Sequence, residues 1–593
     1  MYARLMRLAS LVTSFAVTGA LGAAALRPAE LSAQPAQGPT VTFDFRVVDE
    51  GGRPLLDLKP EELTIRVDGH AREVASFDQV RFAPPRTPVE GEGDDPLPPP
   101  FSTNVPGEAG RDVLILLDDE SFRPGREQAV KDGLNALVDA LSPLDRIGLR
   151  RFPLGGEVVP LTHIRAEIRG VISEIRGRAP ASVTWSDLAC RTRQILSMLP
   201  DFLAGASTHV PLTIVLMTNG LATAQTQGPI AGTPSQLCEV RSTDFSDLEV
   251  PALVSRTFFH AVQVLEDSGF GGSLNELTAG LQHLNQVAGG HQIVRLSGAS
   301  PQAVVRVLQE SSAYYTAGFV PERSSQNGRD HRLEVRIARD GAKVITRPKV
   351  IVPEAATLAA RAKDQGVRAM LLGPPRQELP LRAAAYTARD VNESLKVVAV
   401  FETADPSAAI ESAAVGLFDA NGQLRAQPTA KPGTFKVSPA SLAMEARRGA
   451  FRLRVAAVDP TGKRGTVDVN FQADLTRAGP ARLSDLMLAA SEGGPLLPRL
   501  QFTSDKVGVA YVEIYDVAKT SDVAVNFEVA RSLDGPALAS VPAKVEAGEG
   551  SRTAVGPFAP SGLPPGDYLI RAMVSVDGKP AGRVAATLRR AGN

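Results

Sequence analysis

From Val113 onward, short runs of β-branched and Leu residues alternate with amphipathic stretches of helical length, and this change of period constrains the chain more than any other feature. Strands are predicted at 113–118, 146–152, 211–218, 256–265 and 291–296. Helices are predicted between and after them, near 125–141, 164–176, 185–204, 272–288 and 301–313. In the first helix Val130, Leu134, Leu137, Val138 and Leu141 fall on one face at the i, i+3, i+4 spacing. Strands interleaved with helices call for a parallel sheet covered on both faces and joined by right-handed crossovers. The fold class expected is therefore multidomain, with a central α/β doubly wound, Rossmann-type domain.

The flanks read differently. Residues 40–83 alternate in the β period, with Val41-Thr42-Phe43-Asp44-Phe45-Arg46-Val47-Val48 as a strand and Asp68-Gly69 as a hairpin signal, so a small β-rich module is expected there. Residues 84–110, with Pro98-Pro99-Pro100, are expected to form an extended Pro-rich linker. The α/β domain then runs over 111–351 and closes on a β-hairpin around His331-Arg332-Leu333-Glu334-Val335, and 352–383 form a helical connector. Two β-sandwiches are expected at 384–476 and 477–593, from short alternating strands with turns such as Asp459-Pro460-Thr461-Gly462 and Asp577-Gly578. A chain of 593 residues is in any case too long for one core.

Arg4 and Arg7 precede an uncharged run from Leu8 to Leu26, and small residues near Ser32-Ala33 offer a cleavage point, so 1–33 reads as a signal peptide and the address as secreted or periplasmic. No later stretch approaches the length of a spanning helix, so no stable membrane insertion is expected after cleavage. With 64 Lys+Arg against 65 Asp+Glu, the balance of −1 gives no steering field for nucleic acid. Cys190 and Cys238 are the only cysteines, and in an oxidising compartment they are a disulfide candidate beside the reading of two separately buried thiols. If bonded, they would tie the 222–250 insertion beside the sheet edge.

The run Val113-Leu114-Ile115-Leu116-Leu117-Asp118-Asp119-Glu120 is a buried strand that ends in three acids. Ligands of open parallel sheets sit outside the carboxyl ends of the strands. Carboxylates converging there repel unless a cation, a proton or nearby donors compensate. A divalent ion is one solution; pairing with Arg123, Arg150 or Arg151 is the other.

At these residues the chain resembles the bacterial secreted family of von Willebrand factor A-related proteins. The resemblance is carried by Arg53-Pro54-Leu55-Leu56-Asp57-Leu58, by Glu61-Glu62-Leu63-Thr64-Ile65-Arg66-Val67-Asp68-Gly69, by the strand ending at Asp118, and by Ser312-Ala313-Tyr314-Tyr315-Thr316-Ala317-Gly318-Phe319-Val320-Pro321. It implies a von Willebrand factor A-like domain with a metal-ion-dependent adhesion site of the form Asp-x-Ser-x-Ser, a later Thr and a final Asp. Here Asp118 matches the first acid, Glu120 and Phe122 replace the two Ser, Thr184 stands for the later Thr, and Asn219 replaces the final Asp. The site expected is thus degenerate, with Asp118, Asp119, Glu120, Thr184 and Asn219 as its metal-site candidates. An Mg²⁺ or Ca²⁺ ion is weighed against no cofactor, and the ion-free edge is the stronger expectation.

No Gly-x-Ser-x-Gly or phosphate-cradling loop occurs, and no enzyme activity is expected. Gly269-Phe270-Gly271-Gly272-Ser273 reads as an ordinary capped loop rather than an anion site, and His260 as a hydrogen-bonded core residue rather than a ligand. The function expected is adhesion-type binding of another protein at the carboxyl end of the sheet, of unknown identity. A metal-independent envelope scaffold is the alternative, and a metal-dependent hydrolase the weaker third.

Overall fold

The computed structural model describes residues 40–86, 97–205, 211–224, 238–265, 274–290, 293–363, 366–390, 394–428, 438–490, 497–548 and 550–592. The signal expected at 1–33 and the Gly269–Ser273 loop lie outside the described residues. Among the described residues no helix is long and apolar enough to cross a membrane.

The apolar runs that follow Val113 build one six-stranded sheet. Its order is Val294–Leu296, Phe258–Val264, Leu212–Thr218, Asp112–Leu117, Arg146–Arg151 and Gly156–Thr162. The first five strands run parallel, and the sixth pairs antiparallel with Arg146–Arg151. Because side chains alternate across a strand, the sheet feeds two separate cores. Val113, Ile115 and Leu117 pack with Leu134 and Leu137 of the Gln128–Ala140 helix, whereas Leu116 packs with Leu196 and Leu199 of the Trp185–Gly205 helix and with Leu281 of the Leu274–Ala288 helix.

The other six sheets among the described residues are antiparallel throughout. Strand Val41–Val48 lies between Ala313–Phe319 and Lys343–Thr346, and Leu63–Val67 pairs with Asp330–Ile337. Their inner faces share a core in which Phe45, Ile65 and Tyr315 are sealed from solvent. The N-terminal strands are therefore completed by strands some 270 residues later in the chain. Further on, a sheet containing Leu381–Arg389 and Leu395–Thr403 shares a core with one containing Ser412–Asp419 and Gly449–Val458. A third pair, built on Gly508–Tyr515 and Gly566–Val576, does the same. This is β-sandwich architecture.

These sheets correct the class expected from the sequence. Among the described residues strands take 44% and helices 20%, so the molecule is a predominantly antiparallel β protein, not an α/β doubly wound, von Willebrand factor A-like one. The physical reason is that a helix-strand alternation is conspicuous in sequence while hairpin strands are short and individually weak signals; the alternating run accounts for one of the seven sheets among the described residues, and that sheet is itself mixed. The segment expected as an extended linker also differs. Ser102–Thr103 adds a short edge strand to Leu381–Arg389, and Phe101 is buried under the guanidinium groups of Arg382 and Arg589.

A buried polar network joins the N-terminal sandwich to the mixed sheet. Arg256 donates to both oxygens of Asp44 at 2.6 and 2.5 Å, Thr316 donates to Asp44 at 2.8 Å, and Arg46 lies 3.0 Å from His260 Nε2 while stacking over Phe258. His260 is thus a hydrogen-bonded core residue. Removing Arg256 would strand the Asp44 charge away from water.

Candidate functional site: an arginine-held carboxylate edge

The Asp112–Leu117 strand gives way to three consecutive acids, Asp118, Asp119 and Glu120. Asp118 nevertheless stays fully buried, its backbone N–H bonded to Met217 O at 2.9 Å. Its Oδ2 accepts from the Thr218 hydroxyl at 2.7 Å and lies 3.3 Å from Arg191 Nε. Its Oδ1 is buried with no donor among the described residues. Burial pushes the Asp118 carboxyl above the usual carboxylate range, and Arg191 and Thr218 oppose that shift.

The next two acids are also matched to arginines. Asp119 sits 3.3 Å from Arg151 Nε and 3.4 Å from Arg178 Nε, and burial again raises its carboxyl against the pull of those two cations. Glu120, with a third of its side chain exposed, bonds to Arg178. Arg191 closes the arrangement by donating to the backbone oxygens of Glu120 and Gly220 at 3.2 Å each.

Two local devices aim these arginines. Arg178 is placed by a close passage of backbones: its N–H bonds to Asp119 O at 2.8 Å, and Ala179 N–H bonds to Phe122 O at 3.0 Å. Gly177 permits the passage, since a Cβ there would stand 2.3 Å from Arg123 O. Arg191 lies on the Trp185–Gly205 helix beside Cys190, which is bonded to Cys238 with the two Cα atoms 4.6 Å apart. The bond fixes the start of the 238–240 segment beside that helix, and Val240 enters its core.

The remaining sequence candidates fall as follows. Thr184 is exposed and caps the Trp185–Gly205 helix; its N–H and hydroxyl donate to Asp187 Oδ2 at 2.8 and 2.7 Å, and Asp187 N–H returns to the Thr184 hydroxyl at 3.2 Å. It is spent on the cap. Asn219 reaches the site through its backbone, donating its N–H to Ser121 Oγ at 2.9 Å and accepting from Gln263 at 3.1 Å. Phe122 is wholly buried in the apolar core. Of the three arginines expected to pair with the acids, Arg151 does so, while Arg150 stacks on Phe202. Arg178, Arg191, Thr218 and Ser121 were not anticipated. Thr218 carried a usable signal, because it directly ends a buried strand neighbouring Asp112–Leu117.

This edge does not suit a divalent ion. A cation at Asp118 would meet a guanidinium 3.3 Å away, and the oxygens of Asp119 and Glu120 already face arginines. Among the described residues no three His, Cys, Asp or Glu side chains are grouped to hold a metal.

No family model matches the chain, and no curated protein matches it. Solved structures overlap parts of it. Fibronectin(III)-like modules of Clostridium thermocellum CbhA share 13% identity, with 33% of this chain and 86% of theirs covered, at a TM-score of 0.12. A tetra-tandem repeat from the extending region of a large adhesion protein shares 14%, covering 44% and 62%, also at 0.12. A DUF3823 family protein from Bacteroides ovatus shares 11%, covering 34% and 95%, at 0.15. Overlaps at this level carry no inference about what the chain does.

Proposed function

We propose that the protein is an exported protein-interaction module that docks a partner protein at the carboxyl end of its mixed sheet, and that arginines do there what a metal ion does in an adhesion site. The observation that carries this is the set of three guanidiniums, from Arg151, Arg178 and Arg191, on three consecutive acids. Internal cations fix the acids without an ion and leave Glu120 and Arg178 as a half-exposed charged rim, which suits electrostatic selection of a partner. Export is supported by the Cys190–Cys238 bond, since such bonds persist in oxidising compartments.

The test is capture from envelope extract by the wild type and by a rim-reversed variant, Glu120→Lys with Arg178→Glu. A band held by the wild type and lost by a variant with unchanged melting supports the reading; a band that survives reversal sinks it. Melting in EDTA, Mg²⁺ and Ca²⁺ is expected to coincide within about 1 °C, because only a ligand selective for the folded state shifts it. A clear upward shift with either ion would mean that the arginines yield to it.

Arg191→Met is expected to lower stability by about 1–3 kcal/mol in urea titrations at pH 7, the cost of leaving a buried acceptor underpaired. The loss is capped because Asp118, already raised by burial, can take up a proton instead. The variant should therefore regain part of the deficit at pH 5, and a deficit independent of pH would contradict the pairing.

A further inference from the structure

A cleft lies away from the carboxylate edge, where Pro98–Pro100 and both C-terminal sandwiches meet. It encloses about 880 Å³, within the range of small-molecule sites. Much of its lining is apolar, including Tyr386, Leu486, Leu488, Leu500, Leu533 and Leu569.

Five ionisable side chains of charged type also line it: His163, Asp485, Arg499, Asp534 and Arg583. Four are accounted for. Arg583 pairs with Asp534 at 2.6 Å, and Arg499 lies 3.4 Å from Asp505. His163 is held neutral, its pKa pushed down to about 4 by burial and by Arg146 and Arg165. Among the described residues Asp485 alone of the five has no cation partner. Among the described residues Thr387 is its donor, through a backbone N–H at 2.6 Å, and the Asp485 N–H returns to Thr387 O at 2.9 Å, so the carboxylate is pinned in place. A fixed, uncompensated carboxylate in an apolar cleft is the complement of a cation with an apolar body.

We propose that this cleft binds a small organic monocation, a primary ammonium on an aliphatic or aromatic body, with Asp485 as its counterion. The inference does not depend on the docking edge, which other residues form.

Titration calorimetry on the full chain at pH 7.5 with 4-phenylbutylammonium, 4-phenylbutanol and 4-phenylbutanoate tests it. The ammonium is expected to bind at least about tenfold more tightly than the alcohol, and the carboxylate not at all. Asp485→Asn should bring ammonium and alcohol within about threefold of each other. Leu533→Trp, at a residue 46% exposed, should block the ammonium by filling the cleft without touching the acid, and so covers the case in which the Asp485 variant does not fold. Equal affinities for ammonium and alcohol in the wild type, a preference that survives Asp485→Asn, binding undiminished by Leu533→Trp, or no binding of any of the three at millimolar concentration would each overturn the proposal.

Discussion

Replacing Asp468 by alanine is expected to cost about 3–5 kcal/mol at pH 7, the usual loss when one member of a buried ion group is removed and its partners stay behind. Asp468 lies on the Arg464–Ala473 strand opposite Gly449–Val458, and there it takes 2.8 Å bonds from Arg452 and from Arg454 Nε and a 2.7 Å bond from Arg454 Nη2. The Arg454 side chain is wholly buried and also donates to Gly373 O at 2.8 Å, so the acid anchors the connector that precedes the sandwich as well as the sheet. Neither guanidinium can shed its proton, and the variant has no escape by titration. Burial works against the Asp468 charge, yet the two arginines outweigh it and pull its pKa down to about 2. The sign follows from that depression: the stabilisation is present above the unfolded value of 3.8 and is lost as pH falls through about 2. Urea midpoints of wild type and Asp468→Ala should therefore differ widely at pH 7 and approach each other below pH 3. A difference under about 1 kcal/mol at pH 7 would show that the group is solvated.

How much of this could be read beforehand depends on how local each feature is. The strand at Asp112–Leu117 was legible because five apolar residues in a row, Val113 to Leu117, leave no other reading, and four of them are buried. The acids after it marked the sheet edge for the same reason. Their partners were not legible: Arg178 and Arg191 are about 60 and 70 residues distant, and arginine carries no spacing signature. The cap role of Thr184 was not legible apart from a ligand role, because a Thr three residues before an Asp serves a helix start equally well, and the cap satisfies it locally. The class was misjudged because antiparallel partners such as Val41 and Phe319, or Ile65 and Val335, are chosen across hundreds of residues by complementary faces, which periodicity does not encode.

Asp485 supplies the opposite case to Asp468, and its replacement by asparagine is expected to stabilise the protein at neutral pH. Burial raises the Asp485 pKa to about 6, and the Thr387 donors oppose that only in part. A carboxylate raised in the folded state imposes no cost below the unfolded value of 3.8, where both states are protonated; the cost grows as pH rises and is complete above about 6. At 1.36 kcal/mol per pH unit the full penalty is about 3 kcal/mol. Asparagine keeps a carbonyl oxygen for the Thr387 N–H and carries no charge to bury. The melting transition of the C-terminal sandwich should then rise in Asp485→Asn at pH 7.5, by the several degrees that about 2–3 kcal/mol represents for a domain of that size, and match wild type at pH 4. A variant that is less stable at pH 7.5, or a difference that does not change with pH, would mean that the carboxylate is compensated in the folded chain. The same result bears on the cleft: a protein that keeps a destabilising charge at the wall of an apolar cavity gains from it only when a cation is there to meet it.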